Sequence, residues 1–215
     1  MVNKKEIITV LNILEKSHGL TMLEQLKEYT PFQLLVATLL SSRTKDSTTI
    51  PIVKEMFKKY SNPEDFVDIE VEELEKMLYG IGFYRTKAKH VKELAKIVIE
   101  KFGGKIPDNF EDLTSLPGVG RKTANCILSY AFHTPAIAVD THVHRIVNRE
   151  RLAWINTNTP EETEEALKEI IPKERWNNIN KLLVDYGQRV CFPVKPNCDG
   201  CVIIKYCEYE KNKEK

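Results

Sequence analysis

The sequence lacks a charge bias: among 215 residues, 32 Lys plus Arg stand against 31 Asp plus Glu, a formal net charge of +1. Gross basicity therefore gives no argument for nucleic acid, and gross acidity none for disorder; any anionic partner must be met by a local patch. A long apolar run is missing too. The longest, Phe32 to Leu40, is broken by Gln33 and Thr38 and is too short to span a bilayer, and Met1-Val2-Asn3-Lys4-Lys5 leads into no secretory segment. The expectation is an intracellular chain without a membrane partner. There is no low-complexity linker and no repeat of fixed long period, so any division into domains must come from chain crossings and not from a flexible tether. What is present, 42% hydrophobic and 29% charged residues, suffices to bury the core of one large domain or two small ones.

Almost no segment alternates as a strand would, and nearly every long segment repeats its apolar residues at helical spacing, which predicts an all-α fold. Thr30-Pro31-Phe32-Gln33 offers a capping threonine, proline at the first helical position and glutamine three residues after the cap, followed by Leu34, Leu35, Leu39 and Leu40. Thr159-Pro160-Glu161-Glu162 repeats the device before a helix on whose wet side Glu164 and Lys168 can pair. Ala88, Val91, Leu94, Ala95, Val98, Ile99 and Phe102 make one core stripe ended by Gly103-Gly104. A weak internal echo places Gly-x-Gly between helical patterns twice, in Tyr79-Gly80-Ile81-Gly82-Phe83 and in Leu116-Pro117-Gly118-Val119-Gly120. Each reads as a tight helix-to-helix turn.

In the second turn Pro117 stops the preceding helix, and Gly118 and Gly120 allow positive φ and close approach of another backbone. The next helix then starts near Arg121, and its first amides and dipole form a phosphate site that needs no basic net charge. A nucleotide P-loop is excluded, because Arg121 occupies the place before Lys122 where that motif needs Gly. An isolated Gly-x-Gly is more often an ordinary turn. Lys122 lies in the first helical turn, where the dipole and Arg121 both disfavour its ammonium form and so favour a nucleophilic amine. Eighteen residues on, the apolar run Ile137-Ala138-Val139 ends in Asp140, which opens the next helix either as a plain N-cap or as a carboxylate facing a developing cation. His142 and His144, two apart, point different ways on a helix and do not read as a metal pair.

Four of the five cysteines crowd into the last 25 residues as Cys191-x6-Cys198-x2-Cys201-x5-Cys207, a pattern that points to metal more than to disulfides in an intracellular chain. Four thiolates suit tetrahedral zinc or a [4Fe-4S] cluster; the single Cys-x2-Cys hook and the long arms favour the bulkier cluster. Lys195, between the first two cysteines, can reach a phosphate or stay solvated. Cys126 reads as a buried thiol.

Taken together and in order, these motifs resemble the endonuclease III family of helix-hairpin-helix DNA glycosylases. Leu116-Pro117-Gly118-Val119-Gly120-Arg121-Lys122-Thr123-Ala124 is similar to that family's hairpin, Val139-Asp140-Thr141-His142 to its catalytic-aspartate segment, and the cysteine loop to its cluster spacing. The resemblance runs from about residue 30 to Cys207. It implies a two-lobed all-α fold: a six-helix barrel domain over 24–134, and a [4Fe-4S] cluster domain joining 1–23 to 135–215. It implies a monomer acting, in the cytoplasm or at the nucleoid, on double-stranded DNA that contains a damaged base or abasic site, with the base flipped out of the duplex.

By the same resemblance Lys122 attacks the anomeric carbon and displaces the base, oxidised pyrimidine being the implied lesion. Asp140 assists by stabilising positive charge or by helping to deprotonate the amine, and the resulting imine permits elimination that cleaves the strand on the 3′ side. The cluster ligands are Cys191, Cys198, Cys201 and Cys207. DNA contacts fall on Arg43, Phe83, Gly118, Val119, Gly120, Arg121 and Lys195. Two of these depart from the family. Arg43 stands where Gln usually fills the hole left by the flipped nucleotide, and it offers only donors where Gln offers both donor and acceptor. Phe83 takes the wedge position where Leu is common. Without the resemblance, Arg43 would read as a surface salt-bridge residue and Phe83 as partly buried. The competing functions are a mismatch- or other lesion-specific glycosylase, a non-catalytic DNA-binding module and an electron carrier.

Overall fold

The computed structural model describes residues 3–148 and 151–209, and every regular element among them is helical. Helix α1 (Lys4–Lys16) is followed by α2 (Met22–Gln25), α3 (Pro31–Ser41), α4 (Asp46–Lys59), α5 (Pro63–Asp68), α6 (Val71–Met77), α7 (Tyr84–Phe102), α8 (Phe110–Ser115) and α9 (Arg121–Tyr130). Then come α10 (Thr141–Val147), α11 (Pro160–Ile170) and α12 (Trp176–Arg189), with 3-10 turns at Lys173–Arg175 and Ile204–Tyr206. The chain divides into two units: Met22–His133, and Met1–Thr21 together with Thr134–Lys215. No helix among the described residues is long and apolar enough to cross a membrane.

In the unit 22–133, α3 is the central element. Every residue from Phe32 to Leu40 is buried, as expected of a helix that is apolar on all sides. Its two polar interruptions are satisfied locally: Gln33 Oε1 accepts from the Thr30 amide at 3.0 Å in a complete capping box, and the Thr38 hydroxyl donates to the Leu34 carbonyl at 2.6 Å. Each buried leucine then contributes about 2 kcal/mol relative to exposure. Helices α4, α7 and α9 pack around it. In α7, Ala88, Val91, Leu94, Ala95 and Val98 are buried, whereas Ile99 and Phe102 are only half-buried, so the expected core stripe narrows toward its end. Gly103 stops the helix at φ +60, and the Gly104 amide closes onto the Val98 carbonyl at 3.0 Å.

The other unit has its own core. Ile7, Val10, Leu11 and Leu14 of α1 meet Ile179, Leu182, Leu183 and Tyr186 of α12, with Val143 and Ile146 of α10 alongside. Helices α10 and α12 approach so closely at Gly187 that a Cβ there would lie 2.5 Å from His142 Nδ1. Helix α11 corrects one expectation. Glu164 is not on the wet side: it is 3% exposed, on the inward face with Thr163 and Leu167, and Lys168 reaches over it at 2.6 Å. A buried carboxylate requires that countercharge.

Candidate functional site

The hairpin in the unit 22–133 is built by a change of helix direction over Leu116–Gly120. Leu116 caps α8 in an extended conformation, the Val119 amide donates to the Leu116 carbonyl at 3.1 Å, and Gly120 is the N-cap of α9. Gly118 has φ +75, and a Cβ there would lie 2.8 Å from His90 Nδ1 and 3.1 Å from Leu39 Cδ1. Both its conformation and its close approach therefore require glycine. Gly120 departs from expectation: its φ of −92 is open to any residue, and a Cβ would meet nothing within 4 Å. The first intrahelical bond of α9 runs from the Ala124 amide to the Gly120 carbonyl at 3.0 Å, so the preceding amides face outward from the helix start. Val119 is buried, Arg121 lies over the Phe110 ring at 5.1 Å, and Lys122 is half-buried as the second residue of α9.

In the same unit the structure brings Arg43 and Phe83 together. Both have left-handed backbones, φ 54 and 59, and the Arg43 guanidinium lies 5.5 Å from the Phe83 ring centroid. Their loops are fastened by the Gly82 amide, which donates to Thr44 Oγ1 at 3.0 Å, and a Cβ on Gly82 would come within 2.9 Å of the Arg43 carbonyl oxygen. Phe83 is 64% exposed and not partly buried; Arg43 is exposed and covers an aromatic ring where a salt bridge was the plain reading. Two side chains thus project as one pair.

Sequence reasoning missed what holds that pair. Lys87, 6% exposed, donates from Nζ to the carbonyls of Leu40 at 2.9 Å and Ser42 at 2.6 Å, fixing the end of α3 next to Arg43. Burial pushes its pKa down to about 8 from 10.5. Below pH 8 the folded and unfolded chains both carry the proton; between about 8 and 10.5 only the unfolded chain does, so stability rises with pH across that window. At about 1.4 kcal/mol per pKa unit the ceiling is about 3.5 kcal/mol, which solvent screening reduces. Urea melts from pH 7 to 10.5 are expected to show wild type gaining on Lys87→Met by that route. A gap that stays flat or moves the other way contradicts the effect of burial.

In the other unit the run Ile137, Ala138 and Val139 is buried, and Asn180 Nδ2 donates to the Ala138 carbonyl at 2.9 Å. Asp140 follows as the N-cap of α10. One oxygen, Oδ1, accepts both cap bonds, from the amides of His142 at 2.9 Å and Val143 at 2.8 Å, so Oδ2 takes no part in the cap. His142 and His144 have different surroundings: His142 lies against Gly187, and His144 Nδ1 is 2.6 Å from Thr163 Oγ1. Arg145, on the same short helix, donates to the Cys191 carbonyl at 2.7 Å. The helix that begins at Asp140 is thereby tied to the start of the cysteine loop.

That loop leaves α12 with the Cys191 amide on the Tyr186 carbonyl at 2.9 Å, and none of the five cysteines is in a disulfide. Cys126 is buried in α9. Cys191, Cys198, Cys201 and Cys207 line one pocket together with Arg151, Val190 and Ile204. Among the described residues no three His, Cys, Asp or Glu side chains are gathered as a site for a metal ion; the four thiols surround a space and do not meet at a point. Tetrahedral zinc needs its sulfurs at about 2.3 Å from one centre, whereas a cubane takes each thiolate at a different iron. Burial pushes the Cys191 thiol up, opposed by the charges of Arg151 and Arg145. Among the described residues, buried guanidinium nitrogens of both arginines lack hydrogen-bond partners. Four thiols, an apolar wall and buried cations with unmet N–H groups fit an anionic cluster. Tyr186, held protonated by burial and by Cys201, donates to Cys201 Sγ at 3.0 Å. Lys195 is exposed on this loop at φ 51.

Residues 36–173 match the family described as HhH-GPD superfamily base excision DNA repair protein. Over 189 residues, 88% of each chain, the sequence is 46% identical to endonuclease III of Thermotoga maritima. The chain belongs to the endonuclease III family. Two solved endonuclease III complexes, each 35% identical to this chain, share its fold. The first is a non-covalent complex with DNA, with a TM-score of 0.90, covering 100% of this chain and 99% of that one; the second is a trapped covalent DNA intermediate with an estranged adenine, TM-score 0.88, covering 100% of both. The endonuclease III fold thus extends over the hairpin, the Asp140 helix and the cysteine loop alike.

Proposed function

We propose that this chain removes oxidised pyrimidines from double-stranded DNA through an imine formed by Lys122. Its coarse activity follows from its family: it is a base excision repair DNA glycosylase and AP lyase that works on DNA. The observation that carries the finer reading is a lysine in the first turn of the helix after the hairpin, in a chain that aligns from end to end with a covalently trapped relative. An amine nucleophile allows both reactions.

Lys122 Nζ attacks C1′ of the flipped nucleotide as the bond from C1′ to the base breaks and the base leaves with a proton. The sugar opens to an imine between C1′ and Nζ. That imine acidifies a C2′ proton, whose loss drives cleavage of the bond from C3′ to oxygen on the 3′ side, and hydrolysis then frees the lysine. Asp140 stabilises the positive charge on the sugar as the base departs. Hairpin amides at Gly118, Val119 and Gly120, with Arg121 and Lys195, hold phosphates; Arg43 and Phe83 enter the duplex at the vacated position. Cys191, Cys198, Cys201 and Cys207 hold a [4Fe-4S] cluster, which when bound ties the loop into one body and so presents Lys195. The protein works as an intracellular monomer, in the cytoplasm or on the nucleoid.

A lesion panel tests the substrate. Under single turnover, duplexes with thymine glycol are expected to be cut at least about tenfold faster than those with uracil, oxidised guanine or a G·T mismatch. Faster cutting of the mismatch would move the assignment to a mismatch glycosylase, which the charge of Arg43 could serve by reading the opposite base with donors alone.

A further inference from the structure

One buried charge beside the cysteine loop is not accounted for by the mechanism. Arg151 is 4% exposed and lines the pocket with all four loop cysteines. Its guanidinium carbon lies 3.8 Å from the centroid of the Tyr209 ring. Such stacking satisfies the face of a guanidinium but leaves the N–H groups in its plane unpaired. Two of them, at Nε and Nη1, are buried with no hydrogen-bond partner among the described residues. The backbone gives the side chain little freedom to turn away. The Arg151 amide donates to the Asn148 carbonyl at 3.0 Å, and its own carbonyl accepts from the Glu208 amide, next to Cys207, at 2.7 Å.

A buried cation with unmet donors is costly unless an anion or acceptor sits against it. Arg145 differs, because it places Nη2 on the Cys191 carbonyl. Among the described residues no carboxylate lines the pocket with Arg151; the four cysteines do, with Asn197, Tyr209 and apolar neighbours. A [4Fe-4S] core held by four thiolates has a net negative charge and sulfur acceptors, and its potential responds to nearby charge and to hydrogen bonds at those sulfurs.

We infer that Arg151, clamped against Tyr209, is a positioning residue for the cluster: it donates from Nε and Nη1 into the thiol-lined pocket, retains the anionic cluster there and raises its potential. This rests on the reading that the four cysteines hold iron and sulfide. Arg151 touches neither DNA nor the reacting sugar in this scheme, so its readouts are those of the cluster.

The experiment uses the full chain as wild type, Arg151→Lys, Arg151→Gln and Arg151→Met. Four measurements are made: iron and acid-labile sulfide, helicity by circular dichroism, bleaching of the visible absorption by an iron chelator, and midpoint potential. Loss of the cation disfavours the more negative, reduced cluster. Gln and Met are expected to bleach at least about tenfold faster than wild type, and to shift the ratio of oxidised to reduced cluster about tenfold at fixed potential, about 59 mV downward for one electron. Lys, which restores the charge, is expected to keep the potential of wild type. Equal bleaching and equal potential in all four proteins overturn the proposal. If Gln and Met take up no iron, a loaded Lys variant with the wild-type potential supports it and an unloaded one overturns it. Wild type holding zinc without sulfide removes the cluster reading itself, and that result is read before any variant is made.

Discussion

Lys122→Ala is expected to abolish the covalent adduct that borohydride traps between this protein and DNA containing thymine glycol or an abasic site. Reduction fixes the imine as an amine, so the adduct reports the nucleophile directly and not merely binding. Strand cleavage at a preformed abasic site should fall at least about 10³-fold, because without the amine no imine acidifies C2′. Binding to the abasic duplex should change by only a few fold, since the hairpin amides and Arg121 are untouched. The fold should persist as well: Lys122 is half-buried in the first turn of α9, where alanine is a favourable helix residue and the stability change is about 0.5 kcal/mol or less. Gel shift of the trapped species, single-turnover cleavage and a thermal melt separate these effects. An adduct of wild-type yield from Lys122→Ala removes the lysine from its assigned role.

How far the sequence already contained this site depends on how local each signal is. The cap at Thr30, the positive φ of the hairpin glycine at 118 and the Cys191 to Cys207 spacing are local, since each is decided by residues within one turn or one loop. At Thr30 the structure repeats the signal with a partner close in sequence, Gln33, whereas Gly118 is also fixed by the distant His90 and Leu39. Gly120 shows the limit even of a local pattern. A Gly-x-Gly turn does not say which glycine needs a positive φ, and here only Gly118 does.

Non-local polar contacts were not legible. Lys87 reads as one more lysine on the wet face of α7, and the carbonyls that bury it come from 45 and 47 positions earlier. Glu164 looked like half of a surface pair because the i to i+4 spacing is the same whether the helix faces water or core. Arg151 carries no pattern at all. It becomes informative only when the chain brings Tyr209 and the thiols to it. Periodicity records which face of a helix is apolar, but it does not record which charge that face tolerates, and such tolerated charges are the ones the structure adds to the site.

Asp140 combines a local signal with a chemical one, and substitution can separate the two. Asn is as good an N-cap as Asp, and its amide oxygen can accept the same two bonds from His142 and Val143 that Asp140 Oδ1 accepts now. Asp140→Asn should therefore melt within about 0.5 kcal/mol of wild type, while Asp140→Ala, which loses the cap, should cost about 1 kcal/mol. The chemistry should divide differently. With no negative charge to meet the cation on the sugar, thymine glycol excision by Asp140→Asn is expected to fall by about 10²–10⁴-fold. Cleavage at a preformed abasic site, where the base has already left, should fall less than about tenfold. Excision and lyase rates measured on the same preparation, beside the melts, test both halves. If Asn excises at the wild-type rate, Asp140 is a cap and nothing more. If excision and lyase fall equally in Asn, the carboxylate acts on the lysine amine and not on the departing base, because only the amine is common to both reactions.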